Sequence, residues 1–252
     1  VSQLHNSILA PFVEKLRGRG NLDRADCTAI LDLPYRISPL RRHEFIVRED
    51  EMARECCVLL SGIAMRHKVA GNGLRQIFSI HMRGDAVDLH NSLLGRADHN
   101  LEMLSNGEGA FVPIEAINVL TMSRPRVAQA MWRETLVDAS IFREWTLNIG
   151  RRDARSRMAH VLCEFAIRLE LVGLTEATGY ELPMTQEELG DALALTSIHV
   201  SRTLKALEAE NLVSRSRRSV KILDWHRLAK IGDFDAGYLH LPEGARAISI
   251  AH

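Results

Sequence analysis

The sequence predicts an α+β chain: a β-roll or sandwich first, then a long helix, then a helix-turn-helix with a β-hairpin wing. Three observations predict it. Between about residues 31 and 120, short apolar stretches recur roughly every ten residues with Gly and Asn turns between them, the texture of an all-β barrel or sandwich. From about residue 123 the apolar period changes to alternating steps of four and three, which is helical. From residue 185 a capping box, a tight turn and a second capped helix follow in succession.

The 252 residues, 46% hydrophobic, 25% charged and 5% aromatic, are enough for one large or two ordinary domains with a buried core. Disordered and collagen-like classes are excluded. No apolar run approaches the ~18 residues of a membrane span, and no basic segment followed by an apolar stretch opens the chain. The expected location is therefore the cytoplasm, with no membrane partner. Lys+Arg and Asp+Glu are both 32, so net charge points to no partner. Its distribution does. Between Leu195 and Lys230 eight basic residues face three acids, a stripe that attracts phosphate, although many such runs are plain solvated faces. The four cysteines, Cys27, Cys56, Cys57 and Cys163, form no C-x-x-C pair and no His-rich spacing, so no metal site is expected. Cys56 and Cys57 point to opposite faces of any extended segment, so at least one is a buried small hydrophobe.

The elements follow in order. Leu4, Ile8, Leu9, Phe12, Val13 and Leu16 pattern a short helix ending at Gly18 and Gly20. Residues 31–34, 44–47, 56–60, 65–69, 76–81 and 110–114 are the candidate strands, with turns at Gly62, Gly71-Asn72-Gly73, Arg83-Gly84-Asp85 and Asn106-Gly107. Pro125 suits a first helical turn. After it Ala128, Trp132, Thr135, Ala139, Phe142, Thr146 and Ile149 make a heptad-like seam, beside a second stripe of Val127, Met131, Ile141 and Trp145. One stripe covers the barrel and the other is left to pair with a second copy; a single-chain core that absorbs both is the alternative. Polar residues 151–155 mark a hinge. A helix through Met158, Val161, Leu162, Phe165, Leu169 and Leu171 stops at Gly173, and residues 179–183 are a connector. The expected domains are 1–122 (the roll), 123–150 (the long helix that pairs two copies) and 151–252 (the helix-turn-helix part with its tail). Within that tail, residues 236–242 suit a short strand or an arm.

Thr185 and Glu188 form a capping box, Leu189 and Leu193 face inward, and Gly190 permits another helix to approach closely. Thr196 caps a second helix at about 196–208. Val200, Leu204 and Leu207 bury one face of it, while Ser197, Ile198, His199, Ser201, Arg202 and Lys205 present the other. Such a helix enters the major groove, where Arg pairs with guanine O6 and N7. The plain alternative is a helical hairpin within a larger core. Two alternating strands around Arg217 and Arg218 favour DNA instead, as a wing resting on the phosphate backbone. Double-stranded DNA is the expected partner, with Thr185 among the residues facing it.

Residues 182–224, including "MTQEELGDALALTSIHVSRTLKALEAENLVSRSRRSVKILD", resemble the DNA-binding module of the Crp–Fnr superfamily of bacterial transcription regulators. In architecture the resemblance spans roughly residues 20 to 230, and it is sharp only in the C-terminal part. It implies a cyclic-nucleotide-binding-like β-roll (jelly-roll), a dimerisation helix and a winged helix-turn-helix. It also implies a homodimer reading a twofold-symmetric site through Ser197, His199, Ser201 and Arg202, and contact with RNA polymerase at some promoters. Two positions depart from the pattern. Ile198 stands where two branches carry a Glu that reads the half-site; it can touch a thymine methyl but cannot accept from cytosine N4. Ala194 stands at the turn where many members have Gly, at a cost of about 1 kcal/mol if φ there is positive.

In cyclic-nucleotide-binding relatives a Gly-Glu pair and an Arg-Ser or Arg-Thr step hold the ligand. Here Leu89-His90 and Asp98-His99 stand at those places, after Asp85, and a carboxylate there repels phosphate. This argues against cyclic AMP. Only Cys27 precedes residue 50, so the iron–sulfur ligand set of the oxygen-sensing branch is missing. Haem stays open through His81, His90 and His99, as does a thiol-based redox sensor or no effector at all. The candidate effector pocket is Asp85, Leu89, His90, Asp98 and His99. No nucleophile elbow, P-loop, dinucleotide fingerprint or hydrolase metal spacing appears, so a regulator is expected and not an enzyme. A ligand-binding module with a vestigial DNA domain is the third reading.

Overall fold

A computed structural model of the chain describes residues 7–176 and 179–241. Contacts divide it into two compact units, Val1–Lys68 with Ser79–Ala139, and Val69–Phe78 with Ser140–His252.

The elements of the N-terminal part are α1 (Ala10–Arg17), α2 (Arg24–Leu31), β1 (Arg36–Leu40), β2 (Phe45–Val47), β3 (Glu55–Ser61), β4 (Ala64–Val69), β5 (Arg75–His81), α3 (Asn91–Leu94), β6 (Asn100–Met103), β7 (Gly107–Pro113), α4 (Ile114–Ser123) and α5 (Pro125–Arg151). The strands form two sheets, β1-β7-β3 and β2-β6-β4-β5. In the first, Cys56 pairs with Val112, Cys57 with Phe111 and Leu59 with Gly109. The period of two sorts these residues between two cores. Cys56, Val58, Ala110 and Val112 pack with Leu9, Phe12, Leu16, Ile117 and Val127 from the helices. Cys57, Leu59 and Phe111 pack with Leu40, Val87, Leu101 and Met103 inside the roll. Gly109 lies beneath Cys57, where a Cβ would come 2.6 Å from Sγ.

Five of the six candidate strands are strands. Residues 31–34 are not, because Asp23 opens α2 with a reciprocal box: its side chain accepts from Asp26 N at 2.8 Å and Asp26 accepts from Asp23 N at 3.2 Å. Besides α2, two strands and the helices α3 and α4 escape the apolar pattern. β1 contains Pro39, tolerated on the edge of its sheet. β6 interrupts its apolar run with buried Glu102, which accepts from His43 Nδ1 at 2.9 Å and faces His67 Nε2 at 3.0 Å. α4 follows β7 directly. Leu4 of the expected first helix lies outside the described residues.

On α5, Val127, Met131, Ile141 and Trp145 are buried, whereas Trp132 is 68% and Phe142 48% exposed, with Leu136 and Leu147 also exposed. Its first half belongs to one unit and its second half to the other.

A polar cluster runs through the first unit. Lys15 pairs with Asp85 and, at 2.5 Å, with Glu134; Arg19 reaches Glu134 at 2.6 Å; Arg66 reaches Asp138 at 2.7 Å. Burial pushes the Asp138 carboxyl up, but the Arg66 guanidinium with His81 behind it brings it down to about 2. Ser79 Oγ lies 3.1 Å from His81 Nε2, and Asp85 lies 3.4 Å from Nδ1. A neutral ring satisfies both.

In the second unit α5 ends at Arg151 and α6 (Ala154–Leu171) begins at once, capped by Asp153, which accepts from Ser156 N at 2.8 Å. Then come β8 (Thr175–Glu176), β9 (Gly179–Glu181), α7 (Gln186–Leu193), α8 (Ser197–Ala209), β10 (Val213–Ser216), β11 (Ser219–Ile222), α9 (Trp225–Ile231) and a 3-10 turn (Ala236–Leu239). Buried Glu164 ties the unit together, accepting from Trp145 Nε1 at 2.9 Å, Tyr238 OH at 2.7 Å and Arg168 at 3.0 Å. The segment expected as a connector supplies β9, the third strand of the wing sheet β10-β11-β9-β8. The expected strand or arm at 236–242 is the 3-10 turn; Pro242 lies outside the described residues.

Burial depresses the His81 pKa and Arg66 acts in the same direction. An unfolded chain takes up this proton near pH 6.5; the folded chain resists until lower pH. The stability contributed by the neutral ring is therefore complete above about pH 6.5 and is lost as pH falls below it. Urea unfolding is expected to show a lower midpoint at about pH 5 than at about pH 7.5, and His81→Gln to narrow that gap. An equal gap in the variant would assign the acid sensitivity elsewhere.

Candidate nucleic-acid interface

Both halves of the capping box form at the start of α7: Glu188 N donates to Thr185 Oγ1 at 3.1 Å, and Thr185 N to Glu188 Oε2 at 2.7 Å. Leu189 and Leu193 are buried. Gly190 is required sterically, since a Cβ would stand 2.4 Å from the Leu195 carbonyl oxygen. Leu195 N donates to Gly190 O at 3.0 Å, and between them Ala194 adopts the left-handed conformation, φ 53° and ψ 48°. The chain reverses within a few residues, and Thr196 caps α8 by accepting from His199 N at 3.3 Å.

Val200, Leu204 and Leu207 bury one side of α8. On the opposite side Ser197, Ile198, His199, Arg202 and Lys205 are exposed, Ser201 is half-buried, and Thr185 and Thr196 are also exposed. β10 and β11 form the wing, with Ser216 opposite Ser219 and Arg217-Arg218 at the tip; Arg217 has φ 55°. Among the described residues Arg202, Lys205, Arg217 and Arg218 enter no ion pair. The basic stripe is thinner than its sequence count, because Arg215 is held by Glu208 at 2.9 Å and Arg227 faces Asp224 at 3.7 Å.

Two residues in this unit had no local signal. Arg75 Nε donates to Asp191 at 2.7 Å, and Gln76 Nε2 to the Ala192 carbonyl at 3.3 Å, pinning the end of α7. Each partner lies 116 residues away, so no spacing rule could find it.

Of the candidate effector residues, Asp85, Leu89 and His90 line one small cavity, and His90 also meets Asp98 and His99. Leu89 belongs to the apolar core outside the roll. Asp85 is taken by Lys15 and by Met82 N at 3.1 Å. His90, Asp98 and His99 converge, with the two rings 5.3 Å apart. Burial, then Arg66, lowers His90 to about 4 and shifts His99 the same way. The cavity lined by Arg66, His81, Asp85, Leu89, His90, Glu134 and Asp138 has about 10 Å³ of free volume, room for about one water.

An antiparallel roll followed by a winged helix-turn-helix defines a DNA-binding regulator. Residues 156–231 match the Crp-like helix-turn-helix domain. The chain is similar to the transcriptional activatory protein AadR of Rhodopseudomonas palustris, 30% identical over 187 residues, which are 72% of this chain and 74% of that protein. It is also similar to the nitrogen fixation regulation protein FixK of Azorhizobium caulinodans, 28% identical over 191 residues, 75% and 76% of the two chains. The solved structure of FixK2 from Bradyrhizobium japonicum superposes with a TM-score of 0.72 at 25% identity, covering 79% of this chain and 98% of that one. The chain belongs to the Crp–Fnr superfamily of transcription regulators. Members of this superfamily are regulators and not enzymes. No helix among the described residues is long and apolar enough to cross a membrane.

Left-handed backbone at a residue with a Cβ costs about 1–2 kcal/mol, and glycine returns part of that gain as lost chain entropy. Ala194→Gly is therefore expected to raise stability by up to about 1 kcal/mol, read as a higher urea midpoint at unchanged slope. A lower midpoint would mean that the methyl group of Ala194 contributes packing.

Proposed function

We propose that the chain works as a homodimer reading a twofold-symmetric DNA site. In this reading α8 lies in the major groove, and Ser197, His199, Ser201 and Arg202 are the base-facing residues. Thr185, Thr196, Lys205 and the wing arginines Arg217 and Arg218 lie along the phosphates. The observation that carries it is the free Arg202 guanidinium on the exposed face of a helix seated by a tight turn. Ile198, 63% exposed, suits a thymine methyl.

Dimerisation is supported by the outward stripe of α5. Large apolar side chains at Trp132, Leu136, Phe142 and Leu147 stay exposed, while Val127, Met131, Ile141 and Trp145 form the buried stripe. The remaining seam residues, Ala128, Thr135, Ala139, Thr146 and Ile149, are small or of moderate size. They flank the large ones, as knobs and holes require. The domains assigned are the roll through residue 122, the helix 123–150 and the DNA-binding part from 151. A role at promoters with RNA polymerase is supported by relatives named as transcriptional activators.

The small cavity and its carboxylates Asp85, Glu134 and Asp138 disfavour a cyclic nucleotide as the effector. Burial pushes the thiols of Cys56, Cys57 and Cys163 up, which disfavours the thiolate that redox sensing needs.

Selection of binding sites from random duplex DNA is expected to yield an inverted repeat. Arg202→Ala should lower affinity for it by roughly 1–3 kcal/mol and relax preference at one base pair per half-site. Unchanged selective affinity would remove Arg202 as a reader, and affinity indifferent to sequence in the parent chain would overturn the DNA-reading role itself. Sedimentation equilibrium should give a dimer for the parent chain and a monomer for Trp132→Asp. A dimer that survives Trp132→Asp would place the interface away from the α5 seam.

A further inference from the structure

In the first unit, His90, Asp98 and His99 each bring one ligating atom to within 4.8 Å of the others. His90 directly precedes α3 and His99 directly precedes β6, and the chain between them turns back at Gly95, whose φ is 77°. Backbone hydrogen bonds hold the loop: Leu94 N donates to His90 O at 3.0 Å, Gly95 N to Asn91 O at 2.8 Å, and Ala97 N to Glu51 O at 3.0 Å. The two imidazoles therefore meet because of main-chain geometry, with their planes 39° apart. Asp98 Oδ1 accepts from His99 Nδ1 at 2.7 Å, which keeps the carboxylate against the ring pair.

The surroundings suit an ion that enters from solvent. The His99 side chain is 4% exposed and that of Asp98 77%, so one side of the group is a fixed wall and the other is open. The Arg66 guanidinium, whose charge acts on both rings, is itself paired with Asp138 at 2.7 Å. Ligands around a four-coordinate ion with bonds of about 2.0–2.2 Å stand roughly 3.3 Å apart, so side-chain rotation of about an ångström closes the group on an ion. Two imidazoles with one carboxylate select borderline first-row ions over the oxygen-seeking alkaline-earth ions.

We propose that His90, Asp98 and His99 form a binding site for one divalent first-row transition-metal ion of the zinc, cobalt or nickel class. The ion keeps at least one coordination position for water or an exogenous ligand. The proposal goes beyond the DNA-binding reading and is tested without DNA.

The test is equilibrium dialysis of the metal-free full chain against Zn²⁺, with Co²⁺ absorption as a second probe of the donor set. One ion per chain is expected. His90→Ala and Asp98→Asn should each weaken it by about 100-fold, the upper end of what changes in the outer shell alone cost. His43→Ala, in the separate group around Glu102, should leave affinity unchanged, and excess Mg²⁺ should not displace the ion. Saturating Zn²⁺ should raise the urea midpoint of the parent chain and not of His90→Ala, since only a binding-competent fold is stabilised by mass action. Both key variants alter partly or fully exposed positions, and their midpoints without metal establish that they fold. Absence of binding overturns the proposal. So does binding that survives both variants, or that Mg²⁺ abolishes.

Discussion

The approach of α7 to the turn that follows it, with Leu195 N donating to Gly190 O at 3.0 Å, is the constraint on which the DNA-facing unit rests. A side chain at position 190 would meet the Leu195 carbonyl at 2.4 Å, so the helix must carry glycine to come this close. With the two segments in contact, the chain can reverse only through a left-handed residue, and Ala194 takes that conformation. Thr196 then follows immediately as a cap, which starts α8 with Ser197 and His199 in its first turn and Val200 facing inward. The exposed side of α8 is thus set by packing on its hidden side.

The roll is held from inside by charge as well as by apolar contact. Arg66 on β4 and Asp138 on α5 form one largely buried pair, and Lys15 of α1 and Arg19 just beyond its end converge on Glu134 of α5. Buried pairs gain little over apolar residues of the same size, but losing one partner costs about 3–5 kcal/mol. The same carboxylates occupy the space in which a ligand of a roll would be sought. Only about 10 Å³ is left between them, and His90 is the one member of the His90–Asp98–His99 group that lines it.

Much of the C-terminal unit was legible because its determinants are local. The Thr185–Glu188 box, the Thr196 cap and the 4–3 spacing of Val200, Leu204 and Leu207 each act within one or two helical turns. The wing hairpin was legible for the same reason. What stayed hidden depends on distant partners or on residues that break a pattern. Glu102 masked β6 because its two histidine partners lie elsewhere on the chain, and the Asp23–Asp26 box escaped notice because Asp takes both positions. The Arg215–Glu208 pair withdrew one cation from a stripe that a count along the chain had credited in full. Of the candidate effector residues, the resemblance to a cyclic-nucleotide cassette marked Leu89-His90 and Asp98-His99, but that His90, Asp98 and His99 converge depends on the turn between them, which no local pattern announces.

Cys56 and Cys57 occupy opposite faces of β3 and are equally buried, one in each core. A slip of the strand by one residue exchanges the two faces; it would set a thiol in the place of a thiol at one of these positions and Val58 or Glu55 in the place of a thiol at the other. The strand's alignment is therefore written only weakly in these two residues near its start. It is written in the partner strand, where Gly109 makes a recess for the Cys57 sulfur beside Phe111. The pair is a symmetric key whose orientation is decided by the lock.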